Sequence, residues 1–278
     1  MGQMALIREA DRPDVGRFLA RQPIDNIALA SRFAASGRLD PGLGGHLWGY
    51  WSHRQLKAVL YDGMTIYPVS DGPAILAAFA RHLNAKQAHP AAIVGRRGPT
   101  MGLWRLLSDQ RPGVWGQPRL LRDHQQVMAI DCRPAIEPAT SLEIVGLRQL
   151  NVYHQASRLM YIEELEQNPS DLHGAYRDHV ASLINRQCAL AVIRADQVMF
   201  KADIVASADD ICQIGGVWLA PPWRGKGWSA PLMAGVVAHC LQRFRRVCLY
   251  VNQHNRPALA CYRRVGFTLV GECASIVY

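Results

Sequence analysis

The chain has 278 residues, 49% hydrophobic and 19% charged, a balance that excludes a disordered or fibrous protein and at this length suggests two domains. No apolar run approaches the roughly 18 residues of a membrane span, and the first residues lack a secretory core, so the cytoplasm is the expected location. The formal charge of +9 is concentrated in residues 1–135, where 17 Lys and Arg face 10 Asp and Glu, but these are scattered and accompany no nucleic-acid-binding motif, so a nucleic-acid partner is not expected.

In chain order, the first half predicts a helix over 24–36, a hairpin of strands over 45–50 and 56–61, and a third strand over 64–69. A helix with apolar spacing near 3.6 follows over 74–83, then a strand over 91–95, a helix over 100–107 and a strand over 127–131. The segment 133–140 holds two prolines among small residues and interrupts all periodicity. The boundary is placed there, giving domains of residues 1–133 and 134–278. Neither half shows a repeat in sequence.

The second half continues with an amphipathic segment over 159–166 that carries Glu163 and Glu164, and strands over 198–206 and 211–219. Next comes Pro221-Pro222-Trp223-Arg224-Gly225-Lys226-Gly227-Trp228-Ser229, then an apolar helical run over 230–241. This is a strand, a glycine-bearing turn and a helix. A helix N-terminus presents unpaired N–H groups and the positive end of the helix dipole, which suit a diphosphate. Gly225 and Gly227 allow close approach, while Arg224 and Lys226 add charged donors. Two better-known phosphate loops do not fit. No Ser or Thr follows Lys226 and the upstream glycine is absent, and the third glycine of a dinucleotide fingerprint is replaced by Ala230.

Beyond the helix, a strand over 246–251 leads into Asn252-Gln253-His254-Asn255-Arg256-Pro257 and a short helix containing Cys261 and Tyr262. Asn255 suits an N-cap and Pro257 the first turn. Gly266 suits the left-handed cap that ends the helix, after which Phe267 starts the last strand pair.

The run from Arg224 to Ser229 fits R-x-x-G-x-[G/A], with Ser229 in the final small position, and with the N-x-x-N turn and Tyr262 it resembles the GNAT acetyltransferases. The resemblance implies acetyl-CoA as cosubstrate, held by Arg224, Gly225, Lys226, Gly227, Trp228 and Ser229. It also implies that the backbones of Val217 and Leu219 hold the pantetheine arm and thioester oxygen, with Asn252 and Asn255 as further contacts. For Asn255 a cap is an equal reading. Tyr262 would hydrogen-bond or protonate the departing sulfur; the plainer reading is a ring packed under the sheet. The first half repeats the same element order but has Gly95-Arg96-Arg97-Gly98-Pro99 where the acyl-CoA loop is expected. With the stretches 44–50, 93–95, 200–203 and 249–252, the chain resembles two-domain actinobacterial GNAT proteins. Their fold is α+β: two GNAT-like domains, each a mixed, mostly antiparallel twisted sheet flanked by helices, the first divergent and the second active. The implied role of the first is to cover the open side of the second sheet and shape the acceptor cleft.

The position where some members carry a glutamate base is Gln213, which cannot take a proton. Glu163, Glu164 and Asp203 stand as alternatives, the glutamate pair also as recognisers of a cationic amine or simply as a solvated face. His254 reads as an exposed turn residue. Seven cysteines without a C-x-x-C pair argue against both a metal site and a disulfide framework; Cys261 neighbours Tyr262. The expected function is N-acetyl transfer from acetyl-CoA to an amine of a small molecule or protein. The alternative is an acyl-CoA-binding regulatory module. The sequence specifies neither acceptor nor oligomeric state.

Overall fold

The computed structural model describes residues 2–39, 43–70, 72–86, 90–169 and 174–278. The chain divides into two compact units, Met1–Val127 with Val270–Tyr278, and Met128–Leu269.

In the first unit, strands β1 (Gln3–Leu6), β2 (Gly45–Ser52), β3 (Gln55–Gly63) and β4 (Thr65–Val69) are successive antiparallel neighbours. The β2–β3 turn consists of His53 and Arg54, with φ of 49° and 58°, as the two-residue turns that match strand twist require. Helix α3 (Pro73–Asn84) then carries the chain to β5 (Ala92–Arg96), which pairs parallel with β4. Helices α1 (Arg12–Leu19), α2 (Ile27–Ala35), α4 (Arg97–Gln110) and α5 (Pro112–Trp115) and most of strand β6 (Leu120–Ile130) complete the local chain. The other side of β5 is taken by β12 (Thr268–Val277), antiparallel, with Cys273 opposite Arg96 and Val277 opposite Ala92. Ala274 and Ile276 of β12 are fully buried beside Ile66, Phe79, Ile93 and Leu103. The expected last strand pair is therefore one strand, because its neighbours β5 and β6 come from the first half of the chain. Strand β1 and helix α1 leave little mark in sequence: four residues are too short a run to show alternation, and α1 contains Pro13 and Gly16.

The second unit contains β7 (Glu143–Ile144), α6 (Leu150–Leu165), α7 (Ala175–Asn185), β8 (Ala189–Arg194), β9 (Gln197–Ala208) and β10 (Ile211–Leu219). Helix α8 (Ser229–Cys240), strand β11 (Arg246–Asn252) and helix α9 (Arg256–Val265) follow. Strands β7 to β10 are antiparallel neighbours, and β10 pairs parallel with β11 through α8. Because strand side chains alternate between faces, Leu190 and Val192 join Val236, Leu259 and Val265 of α8 and α9. Ala189 and Ala191 join Tyr153, Val180 and Leu183 of α6 and α7. This sheet is thus buried between two helical layers.

Each unit is an α+β arrangement with the same plan, a run of antiparallel strands closed by a parallel pair that a helix connects. The repeat is one of element order and topology. It also corrects one expectation. The step matching β10 to α8 is β4 to α3, at residues 70–72, of which 71 lies outside the described residues; 95–99 leads from β5 into α4.

Candidate active site

The site is built where β10 leaves its parallel neighbour. The β10–β11 register runs only from Ile211 opposite Arg246 to Ile214 opposite Leu249, so residues 215–219 have no partner on β11. On the other side, the β9 ladder jumps from Gly215 opposite Asp203 to Trp218 opposite Lys201. The jump is a bulge of Gly216 and Val217. Its effect on side-chain direction is visible. Cys212 and Ile214 face the α8–α9 core, yet Trp218, of the same parity, lies in the α6–α7 core, while Val217 and Leu219 pack on the α8–α9 side. A one-residue insertion turns every later side chain over. Gly216 has φ of 57°, a conformation that costs a side chain about 1–2 kcal/mol.

Under this bulge lies a buried cluster of which only Asp203 was expected from sequence. Lys201 is completely buried, and its Nζ lies 2.5 Å from Asp203 Oδ2 and 3.0 Å from the Gly216 carbonyl oxygen. Tyr153 of α6, also fully buried, donates its hydroxyl to Asp203 Oδ1 at 2.5 Å. Burial, reinforced by the Asp203 charge, pushes the Tyr153 phenol well above its ordinary value. The available signal was a lysine inside the apolar stretch Val198-Met199-Phe200-Lys201-Ala202.

The turn between β10 and α8 is exposed, with Gly225 at φ 72° and Gly227 at φ 78°, and a side chain at either would meet no atom within 4 Å. Among the described residues no acceptor engages the N–H groups of Gly225, Lys226, Gly227 or Trp228, and no side chain caps α8. Four such donors at a helix start form a concavity suited to an anion. Trp223 and Trp228 meet edge to face at 6.3 Å, with Lys226 Nζ 5.9 Å from the Trp223 ring centre. Arg224 is already engaged: its Nε donates to the Leu219 carbonyl at 2.8 Å and its Nη2 lies 2.7 Å from Glu163 Oε2. Both partners are exposed, so the pair contributes about 0–1 kcal/mol and leaves Arg224 easily diverted. Glu163, expected on an acceptor wall, is thus paired with an arginine of the turn before α8.

At the end of β11, Asn252 Oδ1 is buried without a hydrogen-bond partner among the described residues, an acceptor whose lack of a protein partner calls for an explanation. Asn255 caps α9, its Oδ1 accepting from the Ala258 N–H at 3.2 Å, and Pro257 occupies the first turn. Gly266 closes the helix at φ 114°, with the N–H groups of Gly266 and Phe267 both bonded to the Tyr262 carbonyl. Tyr262 is buried, meets Phe267 edge to face at 5.8 Å, and faces the same core as Val217 and Leu219. Among the described residues its hydroxyl donates to no partner. Burial, with smaller contributions from Cys261 and Glu164, pushes its phenol far above the usual tyrosine value, so it stays a proton donor at neutral pH.

Ser229 and Ala230 open α8, with Cys261 against Ser229. Gln213 is buried within β10, opposite Ala206 and Cys248. Glu164 and His254 are exposed. The cysteines form no disulfide, and only Cys132 is exposed. Among the described residues no group of side chains could hold a metal ion, and no helix is long and apolar enough to cross a membrane. The orphaned Asn252 oxygen, the open glycine turn and the unpaired end of β10 fit a phosphate-bearing thioester with an amide-containing arm.

Residues 147–267 match the Acetyltransferase (GNAT) family, and residues 45–153 match a domain of unknown function, DUF4081. Mycothiol acetyltransferase of Corynebacterium efficiens is 40% identical over 63 residues, 22% of this chain and 21% of that protein, so the match spans about a fifth of the curated relative's length. A GCN5-related N-acetyltransferase from Sphaerobacter thermophilus superposes with a TM-score of 0.61 at 17% identity, over 99% of this chain and 94% of that one. A tandem GNAT protein from the clavulanic acid biosynthesis pathway superposes with a TM-score of 0.52 at 12% identity, over 100% and 98% of the two chains. At such identities the likeness is one of fold, and it extends over both units.

Proposed function

This chain carries a GNAT-family acetyltransferase domain over residues 147–267, and from that premise we propose that the second unit moves an acetyl group from acetyl-CoA to a primary amine by direct attack. The observation that carries this reading is the run of four unengaged N–H groups over residues 225–228 at the uncapped start of α8. Acetyl-CoA supplies an activated acyl group as a thioester. Gly225, Lys226, Gly227, Trp228 and Ser229, with Arg224 released from Glu163, hold the pyrophosphate. The backbones of Val217 and Leu219 and the Asn252 amide hold the pantetheine arm, and Asn255 supports them by fixing the start of α9.

Attack needs a neutral amine, a polarised carbonyl and an acid for the leaving thiolate. The Val217 N–H provides the polarising donor and Tyr262 the acid. Deprotonation of the amine has no carboxylate at position 213. Asp203 is engaged by Lys201 and Tyr153, so Glu163 and Glu164 act as recognisers of the cationic amine, and its proton leaves through water. The acceptor is an amine of a small molecule or of a protein.

Gln213 favours a second reading, an acyl-CoA-binding module with little catalysis. Purified full chain with acetyl-CoA and a panel of small amines and peptides separates the two. Thiol release above the acetyl-CoA hydrolysis background with any amine supports transfer, whereas tight acetyl-CoA binding without such release supports the module.

A further inference from the structure

The ammonium of Lys201 has three N–H bonds and three acceptors in reach: Asp203 Oδ2 at 2.5 Å, the Gly216 carbonyl at 3.0 Å and Met160 Sδ at 3.8 Å. Asp203 accepts in turn from Tyr153 and Lys201, one on each oxygen. Every donor of this buried cluster is directed. The Tyr153 hydroxyl also lies 3.4 Å from the Ala202 carbonyl oxygen within β9, and the link from Lys201 to β10 is the Gly216 carbonyl. A buried ion pair is seldom more stabilising than apolar residues of the same volume, so its use here is geometric.

The peptide between Gly216 and Val217 is planar and trans, so its C=O and N–H point in opposite directions. Fixing the Gly216 carbonyl on Lys201 therefore fixes the Val217 N–H away from Lys201, on the stretch of β10 that has no partner on β11. Two further observations show how tightly the peptide is held. Gly216 is in the left-handed region, and a Cβ there would collide with the Asp203 carboxylate and come within 2.9 Å of Lys201 Nζ. Gly216 and Val217 also have no ladder partner on β9 that would orient them otherwise.

We propose that Lys201, held by Asp203 and Tyr153, is a positioning residue that aims the Val217 N–H at the thioester carbonyl oxygen. This rests on the reading that acetyl-CoA binds along β10. Asp203 then serves as an anchor for Lys201 and not as the base.

The test is isotope-edited infrared spectroscopy of acetyl-CoA carrying a 13C carbonyl, bound to the full chain, with affinity measured by calorimetry. It needs no acceptor. In the wild type, the thioester carbonyl band shifts to lower frequency than in free acetyl-CoA. In the double variant Lys201→Met, Asp203→Asn, which neutralises the pair without leaving one charge buried alone, the shift disappears while affinity stays within about threefold, because the pyrophosphate contacts are untouched. Tyr153→Phe removes one hydroxyl only and diminishes the shift, which keeps the test open if the double variant does not fold. An undiminished shift in either folded variant overturns the proposal. Binding of acetyl-CoA by the wild type without a band shift overturns it alone. Absence of binding by the wild type overturns the acetyl-CoA reading and this inference with it.

Discussion

Arg224 Nη2 lies 2.7 Å from Glu163 Oε2, tying the turn before α8 to the last residues of α6, 61 positions earlier in sequence. The guanidinium that would meet a pyrophosphate is thus held by a carboxylate that competes with it. Glu163→Gln is expected to tighten CoA binding a few-fold at low salt, with the gain fading at high salt as exposed charges are screened. The melting temperature should hardly move, since exposed pairs contribute about 0–1 kcal/mol. Calorimetric titration of CoA at two salt concentrations checks this; equal affinities for variant and wild type at low salt would show that the carboxylate does not compete.

Tyr262→Phe is expected to lower kcat by about a hundredfold or more, the range for a lost general acid, and to leave CoA affinity unchanged. Stability at neutral pH should stay within about 0.5 kcal/mol, because no protein partner loses a hydrogen bond. The same burial has a pH consequence. The folded state holds the Tyr262 and Tyr153 protons more tightly than the unfolded chain does. That contribution is intact below the ordinary tyrosine value of about 10 and is lost as pH climbs through the raised folded values. Melting temperatures should therefore fall on the alkaline side of pH 10, with less of a fall in Tyr262→Phe; equal slopes for variant and wild type would refute the assignment.

Gly227→Ala forces a side chain into φ 78° where no atom obstructs it. The cost is conformational, on the order of 1–2 kcal/mol. Part of it is relieved by local movement of the turn, so the protein should remain folded while the N–H groups lose their common aim. CoA affinity should fall on the order of tenfold, about 1.4 kcal/mol. Titration of the folded variant reads this directly, and unchanged affinity would remove the turn from the binding site.

The two asparagines should separate cleanly. Asn255→Ala loses a cap and about 1 kcal/mol of stability, visible as a lower melting temperature. Asn252→Ala removes an acceptor that has no protein partner, so stability should be kept or gained while CoA affinity falls. The reverse pattern in melting and titration would exchange the two roles.

The parts of this site legible in sequence are those whose geometry is local. The glycine turn at 224–229, the cap by Asn255, Pro257 in the first turn and the left-handed Gly266 each depend on neighbours within a few residues. The bulge at Gly216 was not legible because it is defined by register against β9, and the end of the β10–β11 ladder depends on a strand beyond α8. Lys201 carries no local mark except its apolar surroundings. Glu163 looked like a solvated or acceptor-facing residue because nothing in an amphipathic helix shows which distant turn it meets. In the first unit the hairpin was legible from alternation; the strand after Phe267 was expected, but its pairing was not legible, since its partner β5 lies in the first half of the chain.

That β12 closes the first sheet has a bearing on biosynthesis. The first unit is translated early, yet the neighbour that covers β5 and contributes Ala274 and Ile276 to its core is translated after the whole of the second unit. Until then the nascent first unit presents an open parallel-paired edge and an incomplete core, the state most prone to pair with another chain. Completion of the first unit must wait for the second. A cut between the units at residue 127 or 133 would deprive the N-terminal fragment of that strand permanently.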